Sequence, residues 1–360
     1  MTVITGKLSA KGISKTAVRR LSRLAAVSPV LFIVLTVDLS ADMRTGAVVP
    51  ALAGMHDTVQ SDSPFRWETS DCRFALKHGD RTVWRFNADT SEASKPYFDP
   101  LCAVGGPPLS LSKPADHPWH LGHWFSWKYI NGVNYWETDR DGRAQGGTFW
   151  ETPKRELNRD GSARIVLELA YRPRRGKELT LLRERREIVV SAPANDGSYM
   201  LDWTQQFTAQ EDAVLDRTPV PGEKNASDWG GYAGLAIRFS NELEEVRTVT
   251  AKYDSMRNRK GGVADIYGAA AAEQNGVIDG QEYGIAVLTH PDTPRNGDWY
   301  VIAVKDFTYL NPATLLRSKY VLKKGGTLTL RHRIIVHRGR WDMDRLNREC
   351  SEYYSFRVKN

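Results

Sequence analysis

The sequence predicts an all-β protein: a large antiparallel β-sandwich, of which a supersandwich is one form, with a short C-terminal helix. Two observations support this fold class. Apolar and polar residues alternate with a period of two through most of the chain after the first 53 residues, and glycine, proline, asparagine and aspartate separate the alternating runs. A helical spacing of apolar residues is clear only near the C-terminus.

Each alternating run predicts a strand because successive side chains of a strand point to opposite faces of a sheet. The turn sequence at residues 323–327 predicts a hairpin between the last two strands. Residues 269–272 fit either a surface loop or the start of a helical turn. In chain order, the predicted strands are residues 73–77, 82–86, 163–171, 186–190, 200–207, 246–253, 284–289, 299–307, 319–322 and 328–336.

A further hairpin is predicted around Asn131-Gly132, which is a strong signal for a two-residue turn. Its strands are residues 124–130 and 133–137, so Lys128 and Asn134 are expected to be neighbours, with Glu137 farther along. The one predicted helix covers residues 341–356, where Met343, Leu346 and Cys350 recur at spacings of three to four.

The first 53 residues have the composition of an export signal. Residues 1–23 carry six basic residues and no acidic one, an apolar stretch follows at 24–37, and Ala51-Leu52-Ala53 precedes Gly54. We therefore expect a leader of residues 1–53 and a single periplasmic or secreted β-sandwich domain of residues 54–360. No stable membrane span is expected after removal of the signal. A disordered cytosolic tail and an uncleaved anchor are the alternatives.

Composition narrows the classes of partner. The formal net charge of +7 comes mostly from the leader, so we expect no nucleic-acid partner. Three cysteines, Cys72, Cys102 and Cys350, leave open both a Cys72–Cys102 disulfide and three free thiols. The sequence does not determine the oligomeric state.

The chemistry is expected in residues 116–137, which hold three of the eight histidines and four of the eleven tryptophans. His117, His120 and His123 lie at a spacing of three, and Pro118 and Gly122 favour a loop that could bring them together. Imidazoles transfer protons or hold a metal at neutral pH, and indole faces suit sugar rings. The three histidines could therefore hold a divalent metal, act without a metal, or be structural.

Several side chains are candidates for catalysis or binding. As catalytic residues the sequence suggests His120, His123, Lys128, Glu137 and Glu151. As substrate-binding residues it suggests His117, Trp124, Trp127, Trp136, Tyr232, His290 and Arg295. The last three lie in two later segments, 229–234 and 290–299, which are expected to reach the same cleft. About half of the aromatic residues between 124 and 136 are expected to be core.

The chain resembles the PmoA-like domain family, a bacterial family of unknown function. The residues that carry the resemblance are the motifs at 117–127, 130–137, 230–234 and 325–333. The resemblance implies a secreted or periplasmic β-sandwich with a carbohydrate context, and it implies no mechanism. The family's association with methane oxygenation does not fit this chain, which lacks the long apolar segments of a membrane monooxygenase subunit.

These observations predict an exported carbohydrate-active protein that cleaves a glycosidic bond, as a glycoside hydrolase ahead of a polysaccharide lyase, without a cofactor. In this hypothesis His120 or His123 transfers a proton, and Lys128 stabilises negative charge. Glu137 or Glu151 is the acid or base, and tryptophans stack on the sugar. A non-catalytic glycan-binding protein and a metal-dependent enzyme using His117, His120 and His123 are the alternatives.

Overall fold

A computed structural model describes residues 63–139, 142–174 and 179–355. The predicted leader lies outside the described residues, so the leader, its cleavage and the boundary at residue 54 stay predictions. The strands are β1 (Phe65–Thr69), β2 (Arg73–His78), β3 (Arg81–Asn87), β4 (Tyr97–Leu101), β5 (His123–Ser126), β6 (Tyr129–Ile130), β7 (Val133–Asn134), β8 (Gly146–Trp150), β9 (Lys154–Leu157), β10 (Ala163–Pro173), β11 (Leu182–Val190), β12 (Tyr199–Ala209), β13 (Ala213–Asp216), β14 (Gly234–Arg238), β15 (Glu244–Thr250), β16 (Ser255–Asn258), β17 (Val263–Tyr267), β18 (Ala271–Ile278), β19 (Gln281–Thr289), β20 (Trp299–Val304), β21 (Phe307–Pro312), β22 (Tyr320–Leu322) and β23 (Thr327–Arg338). A 3₁₀ turn covers Lys260–Gly262, and helix α1 covers Met343–Ser355.

Two large antiparallel sheets and a small one contain all of these strands. The first sheet has the order β1-β2-β3-β4-β5-β14-β21-β20-β17-β16. The second has the order β15-β18-β19-β23-β12-β11-β10-β8, with β9 also paired to β10. The small sheet has the order β22-β13-β6-β7. The predicted all-β antiparallel architecture with a C-terminal helix is therefore confirmed.

The main core lies where the two large sheets meet. Trp84 and Phe98 from the first sheet and Trp203 from the second belong to one continuous cluster of buried side chains. Alternation along the strands produces this cluster, because every second residue of β11 and β12 is buried. A chain of this size buries enough apolar surface to be stable without disulfides, and all three cysteines are free thiols.

The outer faces of the two large sheets carry their own clusters. Helix α1 packs Leu346 and Cys350 against the second sheet. On the first sheet, a second cluster contains Trp124, Trp136 and Tyr309. This outer cluster forms the base of the candidate site described below. Among the described residues, no helix has the length and apolar character needed to cross a membrane.

A fully buried ion pair lies inside the main core. The Arg186 guanidinium contacts both carboxylate oxygens of Glu184, at 2.6 and 3.0 Å, and both side chains have no exposed surface. Tyr171 donates a hydrogen bond to Glu184, and the Gln205 amide donates another at 2.8 Å. Such a pair needs these additional hydrogen bonds to offset the cost of desolvating two charges.

Four predicted elements differ from the structure. In the hairpin at Asn131-Gly132, the predicted strand 124–130 is divided into β5 and β6, and only Val133–Asn134 of the returning strand forms β7. The predicted hairpin between 319–322 and 328–336 is wrong, because β22 pairs with β13 while β23 pairs with β12 and β19. Residues 271–272 begin strand β18 and are buried, so neither the loop nor the helical turn is correct. The predicted strand 299–307 is two strands, β20 and β21, joined by a tight turn at Asp306. Helix 341–356 is confirmed as α1 with slightly shorter bounds.

Two buried histidines predict a loss of stability in acid. Burial lowers the pKa of His123 and of His332 to about 3, from a reference of 6.5. Between these values the unfolded chain binds protons that the folded protein rejects, so stability falls as the pH falls from 6.5 towards 3. Replacing His332, whose ring nitrogens have no partner among the described residues, with Leu removes one such group.

We therefore expect H332L to flatten the pH dependence of the unfolding free energy by up to about 1.4 kcal/mol per pH unit in this window. Urea unfolding followed at a series of pH values measures this slope. The variant H78L is the control, because His78 is partly exposed at the end of β2. An unchanged slope in H332L would show that His332 does not reject the proton in the folded protein.

Candidate functional site

The loop before β5 brings two of the three motif histidines together. His117 N–H donates to Pro114 O at 3.0 Å, and His120 N–H donates to His117 O at 2.9 Å, so the chain turns tightly twice. Gly122 ends the loop with a φ of +68°, and a Cβ there would lie 2.6 Å from Phe98 O. As a result, the His117 and His120 rings stack with centroids 4.7 Å apart.

These two rings line a pocket on the outer face of the first sheet. The pocket encloses about 370 Å³, including its open mouth. Its other lining residues are mainly aromatic: Trp119, Trp229, Tyr232, Tyr300, Phe307 and Tyr309, with Ile302. An aromatic wall with a few polar atoms is typical of pockets that hold a sugar ring against an apolar face.

His117 is positioned by a carboxylate and an arginine. Its Nδ1 lies 2.8 Å from Asp116 Oδ2, and Arg238 Nη1 lies 3.4 Å from the same oxygen. Arg238 is fully buried and its guanidinium lies 3.9 Å from the centroid of the Phe307 ring. With Nδ1 engaged by Asp116, Nε2 is the nitrogen of His117 that can exchange a proton with a ligand.

Asp116 remains ionised at neutral pH. Its partial burial raises its pKa, but the hydrogen bond with His117 and the charge of Arg238 outweigh this effect and hold the pKa below its usual value. An ionised carboxylate beside an imidazole fixes the ring orientation and stabilises the imidazolium form. This arrangement suits a histidine that accepts and returns a proton.

His120 has a different environment from His117. It is 5% exposed, and its ring packs on Trp124 and Tyr309 at centroid distances of 5.0 and 5.5 Å. Burial, together with the nearby His117, Arg238 and Lys95, lowers its pKa well below the usual range. His120 is therefore a neutral ring at physiological pH, and its buried Nδ1 has no hydrogen-bond partner among the described residues.

A charged network lies behind the pocket wall at Tyr232. The Tyr232 hydroxyl donates to Glu137 Oε1 at 2.6 Å, and Lys128 contacts both that oxygen and the hydroxyl. Asn134 Nδ2 donates to the other oxygen of Glu137 at 2.6 Å. Burial raises the pKa of Glu137, but Lys128 and these hydrogen bonds bring it below its usual value.

This network alters two sequence predictions. Glu137 folds back onto Lys128 instead of lying farther along the hairpin, because the Asn134 side-chain oxygen accepts from the backbone N–H groups of Trp136 and Glu137, at 2.8 and 3.2 Å, and turns the chain after β7. Neither Glu137 nor Lys128 lines the pocket. An ionised Glu137 is a poor proton donor, and it holds the Tyr232 hydroxyl through the hydrogen bond at 2.6 Å.

The loop that carries Trp229 is also fixed by buried charge. Arg259 Nη1 donates to Gly230 O at 2.6 Å, while its other nitrogens bind the fully buried Asp265. The ring of Trp229 lies over Gly261, where a Cβ would come within 2.6 Å of it. Trp229 itself is 50% exposed, so one part of its ring is available to a ligand.

Several predicted site residues lie in the core. His123 has no exposed surface, and its ring contacts Trp203 at 4.8 Å between the two large sheets. Trp124 and Trp136 support the pocket from below, in the outer cluster, and Trp127 lies in the main core. Each of these tryptophans is fully buried and offers no face to a ligand. For Trp124 the reason is that both faces of β5 are covered, with Trp124 in the outer cluster and Phe125 in the main core.

Other predicted residues lie away from the pocket. His290 packs against Tyr353 and Tyr354 of the C-terminal helix. Arg295 donates to Ser318 O and Lys319 O, at 2.6 and 3.0 Å. Glu151 is exposed after the end of β8. None of these three residues is among those that line the pocket.

The structure does not bring the three motif histidines together as a ligand set. His123 turns to the opposite face of the sheet from His120, and its Nδ1 lies 3.1 Å from Ala236 O. Among the residues the structure describes, no group of three His, Cys, Asp or Glu side chains has the geometry to hold a metal ion. The two remaining histidines are fewer than the three protein ligands typical of a catalytic zinc site.

Local sequence patterns do not mark Trp119, Tyr300, Phe307, Arg238 or Lys95 as residues in or around the site. Trp119 lies inside the motif, where its position between the two pocket histidines is a usable signal. Lys95 is 1% exposed, donates to Trp136 O at 2.8 Å, and has a pKa that burial lowers to about 7. Tyr300 and Phe307 lie on strands, where no local pattern marks the face that a pocket occupies.

The fold and the pocket define an antiparallel β-sandwich protein with an aromatic, histidine-bearing pocket on one sheet. The chain belongs to DUF6807, a family of unknown function, whose model matches residues 73–351. This match agrees with the expectation of an uncharacterised domain family. No curated protein matches the chain.

The solved structures that the chain resembles share little sequence with it. An α-galactosidase from Lactobacillus brevis is 10% identical with a TM-score of 0.41, and the match covers 81% of this chain and 41% of the galactosidase. A putative aldose 1-epimerase from Klebsiella pneumoniae is 10% identical with a TM-score of 0.42, and the match covers 80% of this chain and 84% of the epimerase. The chain thus spans less than half of the galactosidase, and similarity at this level does not define its activity.

Proposed function

We propose that the protein is a carbohydrate-active enzyme that cleaves a glycosidic bond, with a sugar ring bound in the aromatic pocket and His117 transferring the proton. The observation that carries this proposal is the Asp116–His117 pair at the edge of a pocket lined by six aromatic side chains. Aromatic walls bind the apolar faces of sugars, and an oriented imidazole is suited to acid–base chemistry.

Hydrolysis is the proposed reaction. Protonated His117 gives its Nε2 proton to the glycosidic oxygen as the bond to the anomeric carbon breaks, and it recovers a proton from the water that attacks this carbon. Asp116 stabilises the imidazolium. Neutral His120 positions the sugar hydroxyls. Tyr232, whose hydroxyl is held behind the wall by Glu137 and Lys128, offers its ring to the sugar. His117 thus takes the proton-transfer role for which the sequence suggests His120 or His123, with Glu137 or Glu151 as the acid or base.

Export to the periplasm or the medium, after cleavage of residues 1–53, remains part of this proposal. So does the resemblance to PmoA-like domains, which suggests the same carbohydrate context. Mass spectrometry of the protein isolated from its native compartment tests the leader: an N-terminus at Gly54 is expected, and an intact Met1 in the cytosol would contradict export.

The proposed reaction is tested with a panel of glycans of defined linkage. We expect new reducing ends, without the absorbance of unsaturated uronates, and equal rates with and without a chelator. Unsaturated products would assign elimination instead. Loss of the rate in chelator, restored by a divalent metal, would contradict the metal-free proposal.

A second function, glycan binding without turnover, is favoured by one observation. In the part of the chain that the structure describes, no carboxylate lines the pocket, whereas most glycoside hydrolases place two carboxylates on either side of the bond. Binding of a glycan by calorimetry, together with no product from that same glycan, would establish this function in place of hydrolysis.

Replacing Trp229 tests whether the pocket is the binding site. W229A removes a half-exposed ring from the pocket wall, and we expect about a tenfold loss of affinity for the glycan that binds the wild type. The control is F149A, because Phe149 is a similarly exposed aromatic residue outside the pocket. Calorimetry of both variants measures the effect, and equal affinities would place the sugar elsewhere.

A further inference from the structure

A second cavity adjoins the histidine pocket. It contains about 940 Å³ of space that opens to solvent. Its apolar lining consists of Ala93, Pro118, Trp119 and Leu121. Its polar lining consists of Glu92, Ser94, Lys113, Thr138 and Asp139. This mixture of apolar surface and polar atoms is again the one that suits a sugar ring.

Trp119 lines both cavities. Its ring meets the His117 ring edge-on, with centroids 5.4 Å apart and an interplanar angle of 72°. The indole therefore lies at the boundary between the two cavities, directly beside the residue that transfers the proton. A ligand that contacts His117 can continue past Trp119 into the second cavity.

The walls of the second cavity are held in place by contacts between loops. Lys113 Nζ donates to Glu92 O at 2.7 Å, and Lys113 N–H donates to His120 O at 2.7 Å. Lys113 has a φ of +54°, a conformation that is unfavourable for a residue with a side chain. The surrounding contacts keep this backbone in place, so the cavity is part of the folded structure.

The charges around the two cavities indicate the kind of sugar. Among residues 63–139, 142–174 and 179–355, no lysine, arginine, aspartate or glutamate lines the histidine pocket. The second cavity has one lysine and two carboxylates, and Glu92 also pairs with Arg73. A uronate or sulfated sugar needs a cation that can bind its anionic group. In these linings the single lysine is outnumbered by the two carboxylates.

We infer that the two cavities form one cleft for a neutral oligosaccharide, with one sugar unit in the histidine pocket and the next in the second cavity beyond Trp119. This inference rests on the proposed function and specifies its substrate class. The scissile bond lies between the two units, beside His117. Monosaccharides fill only one of the two subsites.

The test is calorimetry with monomer, dimer and trimer ladders of xylose, glucose, mannose and galacturonate units. We expect at least one neutral dimer to bind about tenfold or more tightly than its monomer, and galacturonate oligomers to bind more weakly than the neutral ones. The variant T138W fills the second cavity and is expected to remove the advantage in affinity of the dimer over its monomer. The matched control is T69W, at an exposed position of β1.

Equal affinity of monomer and dimer in the wild type would overturn the second subsite while leaving the proposed function intact. Preference for galacturonate oligomers would overturn the neutral substrate class. Absence of binding by every ladder would contradict the proposed function itself, and the cleft with it. If T138W does not fold, as judged by its thermal unfolding, S94W occupies the same cavity and replaces it in the comparison.

Discussion

The variant H117A is expected to lose turnover by about 10²- to 10⁴-fold, the usual contribution of a positioned acid–base group. Binding of the same glycan is expected to change little, because the aromatic walls remain in place. The physical reason is that His117 lines the pocket and Asp116 fixes its ring at 2.8 Å, whereas Nδ1 of the second pocket histidine, His120, has no partner among the described residues. Initial rates and calorimetry on the same substrate separate the two effects.

Two further variants make this prediction specific. D116N keeps the shape of the pair but removes the negative charge that stabilises the imidazolium, so a smaller loss of turnover is expected. H78A is the control, since His78 lies on β2 and does not line the pocket. Wild-type rates in H117A would show that the proton moves through another group, and loss of binding would show that His117 is a contact residue.

The variant R186M is expected to lower the free energy of unfolding by about 3–5 kcal/mol, the cost of leaving one member of a buried ion pair without its partner. Glu184 would keep its hydrogen bonds from Tyr171 and Gln205 but lose its counter-charge in a site without solvent access. The methionine fills similar space, so the effect reports charge more than volume. Urea unfolding at neutral pH measures it.

The neighbouring arginine provides the matched control. Arg185 is on the same strand with its side chain exposed, and it contacts Glu168 and Glu187 on the surface. We expect R185M to change stability by less than about 1 kcal/mol. In the double variant E184Q/R186M, removal of both charges is expected to restore part of the loss. A change below about 1 kcal/mol in R186M would show that the pair is not desolvated.

The sequence predicts those parts of the fold that local alternation determines. Strands β10, β11 and β12 are examples, because their buried residues recur at every second position. It does not predict which distant strand each one pairs with. Strand β22 joins β13 and leaves β23 to the second sheet, although the turn between β22 and β23 has ordinary hairpin composition.

In the candidate site too, the local sequence predicts the loop but does not predict the effects of strand pairing. Pro118 and Gly122 predict the loop, and the loop brings His117 and His120 together as expected. The face on which His123 lies depends on the pairing of β5 with β4 and β14, which the motif does not encode. The aromatic residues at 300, 307 and 309 reach the pocket only through the order of strands in the first sheet.

The central claim is that a sugar binds in the aromatic pocket beside His117, and a crystal structure of H117A with an uncleaved oligosaccharide tests it most directly. Our account predicts a sugar ring against Trp229 and Trp119, with the glycosidic oxygen facing the space vacated by the imidazole. An oligosaccharide bound on another face of the protein, with this pocket empty, would contradict the account.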